Sequence, residues 1–294
     1  MPVSLARMYE NALDWQHLPH LHSRSFSTID CLDSGQWGWR AKTRLEAPDS
    51  RQMASSGEWL SAVQRAFRQQ PIKMARYAIT LVQQTIAMRR GINVELELLL
   101  HRDEKRWVTT TLSGPGAGSQ VITDVVEHGE RDIEVTVHFV LPGVPQALRA
   151  PIGHYYQALY SVLYDEDEQM MLGRQQQLDR LKQREPSAAA TPASLAGTVS
   201  LGSLTELKTQ LPKRLEHAGK QWRIVELDGE LIVHSTVCPH QLGPLDSEVR
   251  DGQIECPWHG FRFDLRSGRQ IDGRCKLAEA PPVRITADGE VLLG

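Results

Sequence analysis

The sequence predicts an α+β chain of two domains, and three observations carry that prediction. The chain has 294 residues, against a typical domain of roughly 150. A stretch at 185–197, Glu-Pro-Ser-Ala-Ala-Ala-Thr-Pro-Ala-Ser-Leu-Ala-Gly, has the composition of a linker. The hydrophobic pattern also differs on its two sides. Before it come alternating strand segments and then a long helical one; after it come short strands punctuated by Asp-Gly turns. The expected division is residues 1–184, a linker at 185–197, and an all-β domain at 198–294.

The first element is a helix over residues 5–22. Leu5, Met8, Tyr9 and Leu13 recur at helical spacing, and Pro19 then bends or ends it. His17, His20 and His22 fall within six residues, against eleven His in the whole chain. An exposed polar helix end would explain a lone histidine better than three. With Asp14 they spell D-x-x-H-x4-H. Two His and a distant carboxylate form the facial triad of non-haem Fe(II) sites, which leaves coordination positions open. His17 and His22 do not share a face of a regular helix, so a break at Pro19 must re-aim His22. His20, three residues from His17, is the alternative ligand.

Phe26 to Glu46 is β-rich around Trp37-Gly-Trp39. Residues 51–90 carry seven Lys or Arg and one acid, Glu58. A solvated face explains such a run, and docking of an acidic electron-transfer partner is the sharper reading. Leu60, Val63, Ala66 and Phe67 predict a helix there. From Ile92 to Leu141 the pattern is strand-like. Val94-Glu-Leu-Glu-Leu, Trp107 to Leu112 and Ile133 to Val140 alternate and are rich in β-branched residues. Gly114 to Gly118 is a hairpin bend; no Lys-Ser/Thr or helix follows to make it a phosphate loop.

Residues 145–184 form the longest helical pattern. Leu148, Ile152, Tyr155, Tyr156, Leu159, Val162 and Leu163 line one side, and Met170 and Leu181 continue it. At about 100° per residue, Glu166 and Asp167 fall on that stripe while Asp165 and Glu168 point away. A carboxylate on a buried face is costly unless paired or bound to metal. Asp167, or else Glu166, is therefore the candidate third iron ligand; a solvated acidic turn is the competing reading.

Beyond the linker, Trp222 to Leu227 and Glu230 to His234 are short strands joined by Asp228-Gly229. Further Asp-Gly turns stand at 251–252, 272–273 and 288–289, and Gly289 to Leu293 closes the domain. Here lies the densest chemistry: Cys238-Pro-His240-Gln-Leu-Gly-Pro244, then Cys256-Pro-Trp-His259-Gly-Phe, with fifteen residues between His240 and Cys256. Two thiolates and two imidazoles suit an asymmetric two-iron cluster, thiolates on one iron and imidazoles on the other. Structural zinc sites instead pair Cys with Cys and His with His. The mixed pairs C-x-H and C-x2-H disfavour zinc.

These residues resemble the Rieske family over about the last hundred positions. The Rieske subunits of respiratory complexes carry an extra disulfide-forming Cys in each loop, and here those places look occupied by Pro244 and Trp258. The likeness is thus to Rieske ferredoxins and oxygenases, with a potential toward the low end of the Rieske range, about −150 mV. In turn, Glu10-Asn11-x-x-Asp14-x-x-His17-x4-His22 resembles the iron-binding segment of Rieske ring-hydroxylating oxygenases. That resemblance implies a [2Fe–2S] cluster at Cys238, His240, Cys256 and His259, and an Fe(II) at His17, His22 and Asp167. It implies that Asp14 bridges a cluster His and an iron-ligating His and helps electrons cross. It also implies an N-terminal helix-grip (START-like) domain, a curved antiparallel sheet around a long helix with a substrate cavity between them. The domain order is inverted, since the family places its Rieske domain first. Hydroxylation or oxidative dealkylation of a small organic substrate with O2, and a homo-oligomer, a trimer by analogy, are further implications.

Bulk properties bound the rest. Net charge is −3, so a general nucleic-acid or membrane binder is not expected. No apolar run suits a transmembrane helix or a secretory signal. Cys31 and Cys275 read as buried free thiols, and a cytoplasmic setting fits. No G-x-G-x-x-G follows a strand, so a separate reductase or ferredoxin must supply electrons. Two other readings stay open: a Rieske electron carrier whose first domain binds a ligand without chemistry, and a redox sensor. Aromatic residues are 6% of the chain, too diffuse to locate a stacking platform.

Overall fold

Residues 1–46, 57–89, 93–183 and 197–294 are described by the computed structural model. They fall into two compact units, Met1–Leu172 and Gly173–Gly294. The expected linker, Gly197 apart, lies outside the described residues, as do Arg51, Arg90 and Ile92.

The first unit opens with α1 (Leu5–Leu13), whose N-terminus is capped by Ser4 accepting from the Arg7 N–H. The single helix expected over 5–22 is instead broken at Asp14, where φ −85° and ψ 74° leave the helical region. A 3-10 turn (Trp15–His17) and the short α2 (Leu18–Leu21) follow. Pro19 is not the breaker. It sits in the first turn of α2, where its missing N–H costs no intrahelical bond.

Six strands then form one antiparallel sheet in chain order. They are β1 (Phe26–Gly35), β2 (Gly38–Leu45), β3 (Val94–His101), β4 (Arg106–Ser113), β5 (Gln120–Gly129) and β6 (Asp132–Val140). The sequence pattern leaves β5 unassigned. It pairs with both β4 and β6, and the glycine-rich segment at 114–118 is the turn that joins β4 to it. Strand β3 shows why the sheet has an inside. Val94, Leu96, Leu98 and Leu100 are buried while the residues between them are not, as period-two alternation requires. They join Trp39, Ala41, Trp107, Val125 and Ile133 in the main core, which Met8 of α1 completes.

Between β2 and β3 lie α3 (Gly57–Gln69) and α4 (Pro71–Arg89). Arg65, Arg68, Lys73 and Arg76 on them are exposed. Ala62, Ala66 and Met74 form a second core with Leu148 and Ile152 at the start of α5 (Arg149–Gln183). Val162 and Leu181, expected on the buried stripe of α5, are 45% and 47% exposed. The inward line runs instead through Ile152, Tyr156, Tyr160, Tyr164, Asp167 and Met171. Steps of four, with one of three, hold one face of an α-helix over this length.

The second unit, beginning within α5, is otherwise mostly β. Its elements are β7 (Val199–Ser203), α6 (Leu204–Thr209), β8 (Lys213–His217), β9 (Lys220–Leu227), β10 (Glu230–Ser235), β11 (Gln253–Glu255), β12 (Arg262–Asp264), β13 (Val283–Ile285) and β14 (Glu290–Leu293). The strands form antiparallel sheets in the orders β10-β9-β8, β11-β12 and β13-β14-β7. Leu207, Trp222, Ile224, Val291 and Leu293 are its core. Asp228-Gly229 turns β9 into β10 with both residues at positive φ, the conformation a two-residue hairpin demands. Among the described residues no helix is long and apolar enough to cross a membrane.

Candidate metal centres

Two loops of the second unit carry the Cys-His pairs, one after β10 and one after β11, and they share a backbone design. In each, the Cys N–H donates to the carbonyl five residues on: Cys238 to Gly243 at 2.8 Å and Cys256 to Phe261 at 2.9 Å. In each, the Cys carbonyl accepts from the N–H four residues on, from Leu242 and from Gly260. That fourth residue has positive φ in both loops, 64° at Leu242 and 65° at Gly260. The turn curls each loop so that its Cys and His face the other pair.

Cys238 and Cys256 are both 1% exposed. The His240 and His259 rings meet edge to face with centroids 4.7 Å apart, and Phe261 stacks on His240 at 4.3 Å. Contact with Cys256 pulls Cys238 below the ordinary thiol range; burial opposes this, and N–H groups of His240 and Gln241 assist it. Cys256 is pushed up by the same contact and by burial, against the N–H groups of Trp258 and His259. Two buried sulfurs in contact can share a metal centre once both have lost their protons. Gly243 closes the pocket: a Cβ there would lie 2.7 Å from Cys256 Sγ and 2.9 Å from the Trp258 ring. Trp258 also packs on Gly173, and Arg174 donates to the Gln241 carbonyl at 3.2 Å. This donor set and its tight cradle fit a two-iron cluster. Cys31 and Cys275 are half-buried rather than buried, and none of the four Cys is in a disulfide.

The first unit brings His17, His22 and Asp167 together. One ligand atom from each lies within 4.8 Å of the others. Asp167 Oδ1 is 3.4 Å from His17 Nε2 and 3.0 Å from His22 Nε2. Both histidines are 3% exposed, and their rings meet edge to face at 5.1 Å. The 3-10 turn that ends at His17 and the exit from α2 at His22, where φ −101° and ψ 39° leave the helical region, supply the re-aiming that the spacing of five needs. His20 is not part of the cluster. Glu166 takes the other side: its Oε2 is 2.7 Å from His22 Nδ1. Asp14 Oδ2 stands 3.8 Å from His17 Nδ1. Each imidazole thus turns one nitrogen toward Asp167 and the other toward a second carboxylate.

Burial opposes charge on His22, but hydrogen bonds and attraction from Asp167 and Glu166 together outweigh it and raise its pKa. Burial alone would raise Asp167; its hydrogen bonds to His17 and His22 hold it well below the usual carboxylate range instead. Asn11 Nδ2 donates to the same Oδ1 at 2.9 Å, a contact the sequence pattern does not reveal. Two imidazole nitrogens and one carboxylate oxygen are the donor set of a mononuclear Fe(II) site.

This cluster forms part of the wall of a cavity of about 750 Å³, open mouth included. Aromatic rings that look scattered in sequence gather here: Trp15, Phe26, Trp39, Trp107, Tyr160 and Tyr164. Trp39 also donates its indole N–H to the Ala12 carbonyl at 2.9 Å, pinning the end of α1 to the sheet.

Comparison with known proteins bears on the second unit. Residues 198–283 match the family model of the Rieske [2Fe-2S] domain. They are a Rieske domain, which binds a [2Fe–2S] cluster and implies electron transfer. The ferredoxin component of the naphthalene 1,2-dioxygenase system of Pseudomonas aeruginosa is 33% identical over 54 residues, 18% of this chain and 52% of that protein. The chain thus spans about half the length of the curated relative it matches. Among solved structures, the ferredoxin of carbazole 1,9a-dioxygenase from Nocardioides aromaticivorans IC177 is 25% identical, over 33% of this chain and 97% of that one, with a TM-score of 0.29. A putative NADH-dependent nitrite reductase small subunit from Mycobacterium tuberculosis is 18% identical, over 34% of this chain and 96% of that one, with a TM-score of 0.26.

Proposed function

We propose that this chain is a Rieske-type oxygenase with its catalytic domain before its Rieske domain. In this reading residues 1–184 are a helix-grip (START-like) domain. Cys238, His240, Cys256 and His259 hold the [2Fe–2S] cluster, and His17, His22 and Asp167 hold a mononuclear Fe(II). The observation that carries the proposal is the convergence of both Nε2 atoms on Asp167 Oδ1 at the wall of an apolar cavity, in a chain that also carries a Rieske domain. When bound, the cluster supplies single electrons and the iron supplies O2 activation for hydroxylation or oxidative dealkylation of an organic substrate.

The chain's own residues do the rest. Glu166 accepts from His22 Nδ1–H, so that Nε2, which faces Asp167 in the metal-free site, would offer its lone pair to Fe(II) once the metal takes the place of the Nε2–Asp167 hydrogen bond. Asn11 fixes the Asp167 carboxylate. Asp14, beside His17 Nδ1, orients that imidazole, and by the resemblance to the oxygenases it is the residue that would bridge it to a cluster histidine. Cavity walls from the sheet and α5 hold substrate and exclude water. Electrons come from a separate reductase or ferredoxin, and the working form is a homo-oligomer, a trimer by analogy.

A second reading has one observation in its favour: two of the named relatives are ferredoxins. It makes the chain an electron carrier, or a redox sensor, whose first domain binds a ligand without chemistry. Isotopically labelled O2 separates the two. Reduced protein incubated with it and a cavity ligand should place the label in an organic product. Asp167→Ala should abolish incorporation while leaving the cluster signal intact. Absence of label from wild type under every donor and ligand tried would favour the carrier.

A further inference from the structure

The cavity beside His17, His22 and Asp167 has a chemical signature of its own. Its walls are apolar: Trp39, Leu96, Leu98, Trp107, Val121 and Leu163. Among the described lining residues the carboxylates are Asp14 and Asp167, and none is a Lys or Arg. A carboxylate or sulfonate drawn into the metal-free space would meet Asp14 and Asp167 and no Lys or Arg, while His22 is already paired with Asp167 and Glu166, and an unpaired buried ion is strongly disfavoured. A cation fares little better, because Asp167 Oδ1 already faces Asn11, His17 and His22.

Away from the carboxylates the lining offers hydroxyls. Thr123, 2% exposed, and Tyr164 stand with their oxygens 3.2 Å apart. Such a pair spends one hydrogen internally and keeps one hydrogen and free lone pairs for a ligand. Burial raises the Tyr164 pKa, so its hydroxyl remains a neutral donor. Tyr164 is one helical turn from Asp167 and shares its face of α5. A ligand held at this pair therefore lies along the same wall as the three candidate iron ligands.

We infer that the cavity takes an uncharged, largely apolar ring compound bearing one hydroxyl, carbonyl or ring N–H group, held by the Thr123–Tyr164 pair. With no metal on His17, His22 and Asp167, it rejects the same skeleton carrying a carboxylate or an ammonium. Calling that compound the substrate rests on the oxygenase reading; its binding does not.

The test is calorimetric binding of phenol, toluene, benzoate and benzylammonium to the full chain with the His17, His22 and Asp167 site emptied of Fe(II) by a chelator, run without O2. Phenol should bind about tenfold more tightly than toluene, the yield of one net hydrogen bond. Benzoate and benzylammonium should be at least about a hundredfold weaker than phenol. Tyr164→Phe and Thr123→Val keep side-chain shape and should each erase most of the advantage of phenol while leaving toluene unchanged. Benzoate binding as tightly as phenol, a phenol advantage that survives in both variants, or no binding by any probe would overturn the inference. Loss of label incorporation with this binding order intact would instead overturn only the oxygenase reading.

Discussion

Glu166→Ala probes the ligand geometry most finely, because Glu166 touches no proposed open position. Its carboxylate is 2.7 Å from His22 Nδ1, on the side of the ring away from Asp167. Removing it frees the imidazole to rotate and to place a proton on Nε2, where a metal needs a lone pair. Losing such an outer partner costs 10–100-fold in metal affinity, or about 1.4–2.8 kcal/mol. The Glu166 side chain is 32% exposed, so water substitutes in part and the loss should fall near the lower end, about tenfold. Glu166→Gln keeps an acceptor and should restore affinity to within about threefold of wild type. The assay is competition for Fe(II) against a chromophoric chelator under nitrogen, with circular dichroism checking the fold. Wild-type affinity in Glu166→Ala would refute the argument that this carboxylate orients His22.

Two further predictions concern the Rieske unit. Gly243→Ala pushes a methyl against Cys256 Sγ and the Trp258 ring. It should cost about 1–3 kcal/mol and lower cluster occupancy, read from the visible absorption of protein loaded in parallel with wild type; unchanged occupancy and stability would contradict the tight cradle. His234 is 2% exposed, donates through Nδ1 to the Ser235 carbonyl at 2.9 Å, and has its pKa lowered by burial. The unfolded chain therefore binds a proton that the native chain does not, once pH falls through the free histidine range near about 6.5. Native stability contributed by His234 is full above that range and is lost as pH falls toward the depressed native value. His234→Asn should flatten the fall in thermal midpoint between about pH 7.5 and pH 5.5; an equal fall in both proteins would show that His234 is not its source.

What was legible in the sequence was local chemistry. The alternation Val94-Glu-Leu-Glu-Leu declares its buried face, and β3 buries that face. The helical period of residues 145–184 turned Glu166 and Asp167 inward, and both face the histidines. What stayed hidden depends on neighbours far along the chain. The helix break sits at Asp14 rather than Pro19, because proline is harmless in a first turn. Val162 fits the apolar stripe by type, yet Tyr160 and Tyr164 take the inward places. Six aromatic rings reach one cavity from three strands, one helix and a 3-10 turn, and no spacing rule joins Trp15 to Trp107 or Tyr164. Whether Glu166 or Asp167 faces both Nε2 atoms was likewise undecidable from periodicity, since adjacent positions on a helix differ by only about 100°.

Counting iron shows whether one chain holds two metal centres. Wild type and His17→Ala/His22→Ala would be purified without air, reconstituted with iron and sulfide, and analysed for iron per chain, with the reduced cluster quantified by electron paramagnetic resonance. Two centres in one chain should give about three irons in wild type and about two in the double variant, with equal cluster signals. About two irons in both proteins, under conditions that saturate an Fe(II) site, would contradict this and leave the carrier or sensor reading.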